Sequence, residues 1–115
     1  MKKLTQAQER VLKEAKDTID RARASIDYVD YEYNKPYSGY KDTRYYRTFE
    51  EAKAAIIERD NKSDNHYSKL YEEYRTGKAL VTSNTKTLKA LEALGLIKII
   101  NEGGSYPDLI EVIGY

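Results

Sequence analysis

The chain has no cysteine and no tryptophan, and among its 115 residues there are only one Phe, one His and two Pro. The lack of cysteine excludes disulfides, thiolate nucleophiles and thiolate metal sites, and it fits a reducing compartment. Charge of one sign is also missing. The 20 Lys and Arg against 19 Asp and Glu leave a formal net charge of +1, so an anionic partner could be recruited only by a local patch. No apolar run is long enough to cross a membrane. After Met1-Lys2-Lys3 the charged residues resume at Glu9, which does not fit a signal peptide. The expectation is a cytoplasmic protein without membrane association.

Catalytic and metal chemistry are equally short of material. His66 has no second His and no Cys to share a ligand set, and reads as an exposed residue at a helix start. Glu50, Glu51, Glu72 and Glu73 read as capping and solvated groups. Gly103-Gly104 is too short for a phosphate-cradling loop and leads from a strand into a strand. No enzyme activity, cofactor, metal or small-molecule substrate is expected.

What is abundant is tyrosine. Of 12 Tyr, seven fall between residues 28 and 46: Tyr28, Tyr31, Tyr33, Tyr37, Tyr40, Tyr45 and Tyr46. A tyrosine buries a large ring and keeps a hydroxyl that needs a partner or water, which suits half-buried surfaces and interfaces.

Helical periodicity dominates the first third. Leu4, Ala7, Val11, Ala15, Ile19, Ala22, Ile26, Val29 and Tyr33 recur at spacings of three and four, placing one apolar stripe on one helix face. The spacing predicts a long helix within residues 1–33, capped by Thr5 and ending between Ser25 and Tyr33. The stripe can serve the chain's own core or a second copy in a coiled-coil contact. Residues 34–47 form a Tyr-rich excursion in which residues 34–40, with the first Pro and Gly, read as a turn or loop; across residues 28–47 helix, hairpin and loop stay open, with helix favoured for residues 28–33.

Beyond it, Thr48 and Glu51 make a capping box for a helix to about Arg59, with Phe49, Ala52, Ala55 and Ile56 inward. Asp64 is the expected cap of a third helix, with Tyr67, Leu70, Tyr71 and Tyr74 on one side, stopping near Gly77. Lys78-Ala79-Leu80-Val81 is a short apolar piece. Thr82 or Ser83 then caps a helix whose Thr85, Leu88, Leu91 and Leu94 form an apolar line up to Gly95. Residues 96–100 and 109–113 are strand-like, with a turn at Asn101-Glu102-Gly103-Gly104. The fold class is α+β, mostly α, in a single domain spanning 1–115, with residues 48–115 as helices plus a helix followed by a β-hairpin.

The run from Asn84 to Ile97, a polar helix start, leucines three apart, then Leu-Gly-Leu-Ile into a hairpin, resembles the recognition helix and first wing strand of winged-helix DNA-binding domains. That resemblance, over about 35 residues by position, implies a helix in the major groove. The residues implied as contacts are Asn84, Lys86, Thr87 and Lys89, with Lys78 assisting at the backbone; Asn and Lys can reach base edges and phosphates. The chain departs from the pattern in one respect. A typical member joins a separate helix to the recognition helix by a tight turn, whereas residues 75–82 here hold Gly77 and a strand-like piece. Local charge is +3 over residues 61–90 and −3 over residues 91–115, so the basic part precedes the wing.

A second reading is protein–protein interaction. Tyr31, Tyr33, Tyr37, Tyr40, Arg44 and Tyr45 form a candidate partner surface, because Tyr and Arg are favoured interface anchors. They can equally stack on single-stranded bases or cover the long helix. The partners in view are thus duplex DNA, a protein, or a second copy in a dimer. Small size, high charge and a winged unit without an effector domain are similar to short phage and mobile-element proteins, where such a chain acts in transcription regulation or inhibits a host protein.

Overall fold

The computed structural model describes residues 3–100 and 107–115. The fold is mostly helical α+β: α1 (Gln6–Ala24), α2 (Tyr28–Tyr33), a 3-10 turn (Gly39–Lys41), α3 (Phe49–Lys62), α4 (His66–Arg75), β1 (Lys78–Val81), α5 (Thr85–Ala93), β2 (Ile97–Ile99) and β3 (Asp108–Val112). The chain packs as two compact units, one from residues 1–20 and 73–115, the other from residues 21–72.

In the first unit α1 begins as its sequence dictates. The Gln8 amide donates to Thr5 Oγ1 at 3.1 Å and the Thr5 amide to Gln8 Oε1 at 3.0 Å, a reciprocal cap that satisfies two otherwise orphaned donors. Val11, Ala15 and Ile19 of the stripe are buried in one core with Ala79, Val81, Leu88, Leu91, Ile97, Ile110 and Val112. Ala7 of the same stripe is exposed.

The three strands form an antiparallel sheet in the order β1-β3-β2. Strand periodicity of two sends Ala79, Val81, Ile97, Ile110 and Val112 to the core face. It leaves Lys78, Glu111 and Lys98 in one cross-strand row on the other face, since Glu111 is paired with Lys78 on β1 and with Lys98 on β2. The expected turn at residues 101–104 lies outside the described residues.

Nine residues of α5 are too few to be helical on propensity alone. Burial of Leu88 and Leu91, each worth about 2 kcal/mol, holds it in place. Its C-terminus closes as a Schellman motif: the Gly95 amide donates to the Glu92 carbonyl at 2.9 Å and the Leu96 amide to the Leu91 carbonyl at 3.2 Å. Gly95 has φ +77°, which a side chain would disfavour. The apolar line is shorter than its sequence suggests. Leu94, at the C-cap, is 44% exposed and Thr85 is exposed, so only Leu88 and Leu91 face inward.

The second unit corrects the extent of the long helix. Helix α1 stops at Ala24, and Asp27 starts α2 by accepting the Asp30 amide at 2.8 Å, while Asp30 accepts the Ile26 amide at 3.0 Å. This second cap outcompetes continuation of the stripe, and Ile26 ends up 87% exposed. Thr48 caps α3 as expected, through the Glu51 amide at 3.2 Å, but Glu51 returns to the Arg47 amide and the helix runs on to Lys62. Phe49 is 46% exposed, its ring edge-on to Tyr33 at 4.9 Å.

The start of α4 is a further correction. Asp64 and Asn65 take left-handed backbone, φ 54° and 63°, in the connection from α3. It is the buried Asp60 that accepts the Ser68 amide at 2.9 Å and so satisfies the first turn of α4. Tyr31 and Tyr71 are buried with Ala52 and Ile56, and the Tyr28 and Tyr31 rings meet Tyr71 edge-on at 6.2 and 5.5 Å.

Candidate nucleic-acid interface

The α5 helix starts directly out of β1. Asn84 is its cap, accepting the Thr87 amide on Oδ1 at 2.8 Å, so neither Thr82 nor Ser83 has that role. Asn and Ser serve almost equally well at a helix start, so residue type alone does not choose between them; the Asn84 side-chain oxygen is the one that accepts the third amide of the helix. With Leu88 and Leu91 inward, Asn84, Lys86 and Lys89 are exposed and Thr87 is half-buried. Four of the five residues expected at a DNA contact therefore share the first turns of one short helix.

Lys78 stands apart from them. On β1 its ammonium binds Glu73 at 2.8 Å, in the same unit, and that carboxylate holds the Lys78 pKa above its ordinary value. Glu73, read from sequence as a solvated group, is thus a partner of a candidate site residue. A five-residue separation spanning a helix end and Gly77 gave no periodic signal for the contact.

The six candidate partner residues are separated by burial. Tyr31 is a core residue, and burial raises its pKa. Tyr33 packs on Phe49, and Tyr40 lies 5.4 Å from Tyr46 with burial again raising its pKa. Arg44 is held by Asp42, at 2.8 Å from Nη2, and the guanidinium in turn keeps the Asp42 carboxyl below the usual carboxylate range. Tyr37 and Tyr45 remain exposed, at 105% and 72%. The segment is therefore a loop with a 3-10 turn, in which Ser38 accepts the Tyr40 amide.

Arg59 organises this second unit although its sequence position announces nothing. Its Nη2 donates to the buried Glu32 at 2.7 Å, and its guanidinium lies 4.0 Å from the Tyr67 ring centroid and 5.5 Å from that of Tyr40. Lys35 binds the other Glu32 oxygen at 3.1 Å, so the buried carboxylate is neutralised twice.

His66 is exposed, its ring 5.5 Å from Tyr67. Among the described residues there is no cluster of three or more His, Cys, Asp or Glu able to hold a metal, and no helix long and apolar enough to cross a membrane. No protein family, curated protein or solved structure matches the chain.

Proposed function

We propose that this protein binds duplex DNA through the unit of residues 1–20 and 73–115, with α5 as the groove-facing helix of a winged-helix-like arrangement. The observation that carries this reading is the division of α5 into two edges. Leu88 and Leu91 are buried at 1% and 0% exposure, while Asn84, Thr85, Lys86 and Lys89 are exposed. A helix held by its apolar edge presents its polar edge on an already ordered backbone, so that binding has only the side chains to order. The order α1, β1, α5, β2, β3 with an antiparallel sheet of order β1-β3-β2 supports the same reading.

One feature differs from the winged-helix pattern. A single helix lies between β1 and β2, so α5 is entered from a strand and not from a preceding helix across a tight turn. Support for the helix in the groove then falls on β1 and on Lys86 and Lys89 at the phosphates.

The test is fluorescence anisotropy with a mixed-sequence duplex across a salt series. If both lysines neutralise phosphates, Lys86→Ala with Lys89→Ala weakens binding at every sequence and reduces the slope of log affinity against log salt by about 2. An unchanged slope in the double variant would remove α5 as the contact. A second reading, a protein-interaction surface on the other unit, is favoured by the full exposure of Tyr37.

A further inference from the structure

The outer face of the three-stranded sheet carries more apolar surface than a solvated face needs. Strand register puts Leu109 beside Ile100, whose amide donates to the Leu109 carbonyl at 2.9 Å, and Ile113 beside Leu96, with the Ile113 amide on the Leu96 carbonyl at 3.0 Å. Leu96, Ile100 and Ile113 are 36%, 41% and 49% exposed, and Leu109 is half-buried. Between these two apolar rows lies the charged pair Glu111 and Lys98, adjacent on β3 and β2. Helix α5 buries Leu88 and Leu91 on the opposite face, so this one is independent of the DNA contact.

We infer that two copies of this chain associate by stacking the outer faces of their β2–β3 pairs about a two-fold axis parallel to the strands and midway between β2 and β3. The register selects this occupant. Rotation about that axis lays β3 of one copy over β2 of the other. Leu109 then meets Ile100, Ile113 meets Leu96, and Glu111 meets Lys98, each contact occurring twice as a two-fold interface requires. A purely apolar partner would remove water from Glu111 and Lys98 and leave them only their own cross-strand neighbours, and a partner of one charge sign would repel one of the two. A second copy supplies the opposite charge to both and apolar surface to both rows. Lys78, bound by Glu73 on β1, stays outside the stacked pair of strands.

Sedimentation velocity of the full chain over a concentration series tests the inference, with circular dichroism melts as the check on folding. The wild type is expected to dimerise. Lys98→Glu gives a doubly acidic face and Glu111→Lys a doubly basic one, so each alone should raise the dimer dissociation constant at least about tenfold. An equimolar mixture of the two should recover a heterodimer, because the acidic pair on one variant then faces the basic pair on the other. An intrachain role for the pair cannot produce that recovery. Ile113→Lys, at an exposed strand end, should dissociate the dimer independently if a charge variant fails to fold. A wild type that stays monomeric at every concentration, charge variants that dimerise like the wild type, or a mixture that stays monomeric would each overturn the proposal.

Discussion

Asn84 accepts the Thr87 amide at 2.8 Å, and the same side chain stands among the exposed residues of α5. One residue therefore serves helix initiation and is a candidate for base contact, and the two roles can be separated. Asn84→Ala removes the cap and should cost about 1 kcal/mol of stability, whereas Asn84→Ser keeps an acceptor oxygen and should cost a few tenths. Thermal melts of both variants measure this. If Asn84 also contacts a base, the Ser variant should lose duplex affinity while its melt stays close to wild type; equal loss of stability in both variants would show that the cap is not what Asn84 contributes.

Glu73 competes for Lys78. As long as the ion pair at 2.8 Å persists, the lysine is a poor phosphate ligand, so Lys78→Ala should leave duplex affinity nearly unchanged. Lys78 also shares the sheet face opposite α5 with Glu111 and Lys98, so Glu73→Gln should likewise leave duplex affinity and its salt slope nearly unchanged. Anisotropy titrations of the two variants decide it, and a weakened Lys78→Ala or a tightened Glu73→Gln would bring Lys78 into the contact.

These contacts mark how far residue patterns reach. The α1 stripe, the Thr5 and Thr48 caps, the Gly95 stop and the strand character of residues 78–81 are local signals, each fixed by one or two turns of backbone, and each corresponds to an observed element. The break after Ala24 was not legible, because Ile26 and Val29 kept the period while Asp27 and Asp30 offered a competing cap. The same competition misassigned the α4 start, where Asp60, eight residues from Ser68, reaches back across a connection. Contacts that depend on folding, such as Arg59 with Glu32 and Lys78 with Glu73, leave no spacing to read. In the candidate site the exposed edge of α5 was readable from the leucine period, while the engagement of Asn84 and Lys78 was not.

The buried Glu32 carboxylate supports the second unit through Arg59 and Lys35. Glu32→Ala would leave the partly buried guanidinium among Tyr28, Tyr40 and Tyr67 without its anion. Because Arg59 is itself about one-third exposed, water can replace part of the loss, and the expected cost is about 2 kcal/mol, below that of a fully buried pair. Glu32→Gln, which keeps a hydrogen-bond acceptor, should cost less. Denaturant melts of the pair of variants provide the comparison, and a cost under about 0.5 kcal/mol for Ala would mean the pair is only a surface contact.

Tyr28 makes the second unit sensitive to alkali. Burial pushes its pKa up to about 12, with the nearby Arg59 offsetting part of the rise. An unfolded tyrosine titrates near ~10. Between these two values the unfolded chain has released the proton that the folded chain still holds, so folding stability is fully present below pH ~10 and falls as pH rises through ~12. Tyr31 and Tyr40, also raised by burial, act in the same direction. Tyr28→Phe should therefore lessen, without abolishing, the loss of stability in that window. At neutral pH it should change stability by less than about 1 kcal/mol, because among the described residues the buried Tyr28 hydroxyl makes no well-formed hydrogen bond and has only a weak interaction with the neighbouring Arg59 to lose. Thermal melts of both proteins at neutral and alkaline pH give the comparison, and identical alkaline slopes would exclude Tyr28 as a contributor.

Tyr37 is strained and solvent-exposed at once. The Ser38 amide donates to the Lys35 carbonyl at 3.1 Å, closing a turn with Pro36 and Tyr37 at its centre, and Tyr37 has φ 61° and 105% exposure. Pro suits the first central position, but positive φ at the second favours Gly or Asn. The ring buries nothing that would offset this. Tyr37→Gly should then stabilise the protein by about 0.5–1 kcal/mol, the relief of left-handed strain exceeding the added freedom of the unfolded chain. A loss of stability on that substitution would mean that the tyrosine contributes to the fold. A gain would leave an external partner as the role for the ring, and Tyr37→Gly would then be the variant of choice for testing the protein-interaction reading, since any binding it loses could not be blamed on a weakened fold.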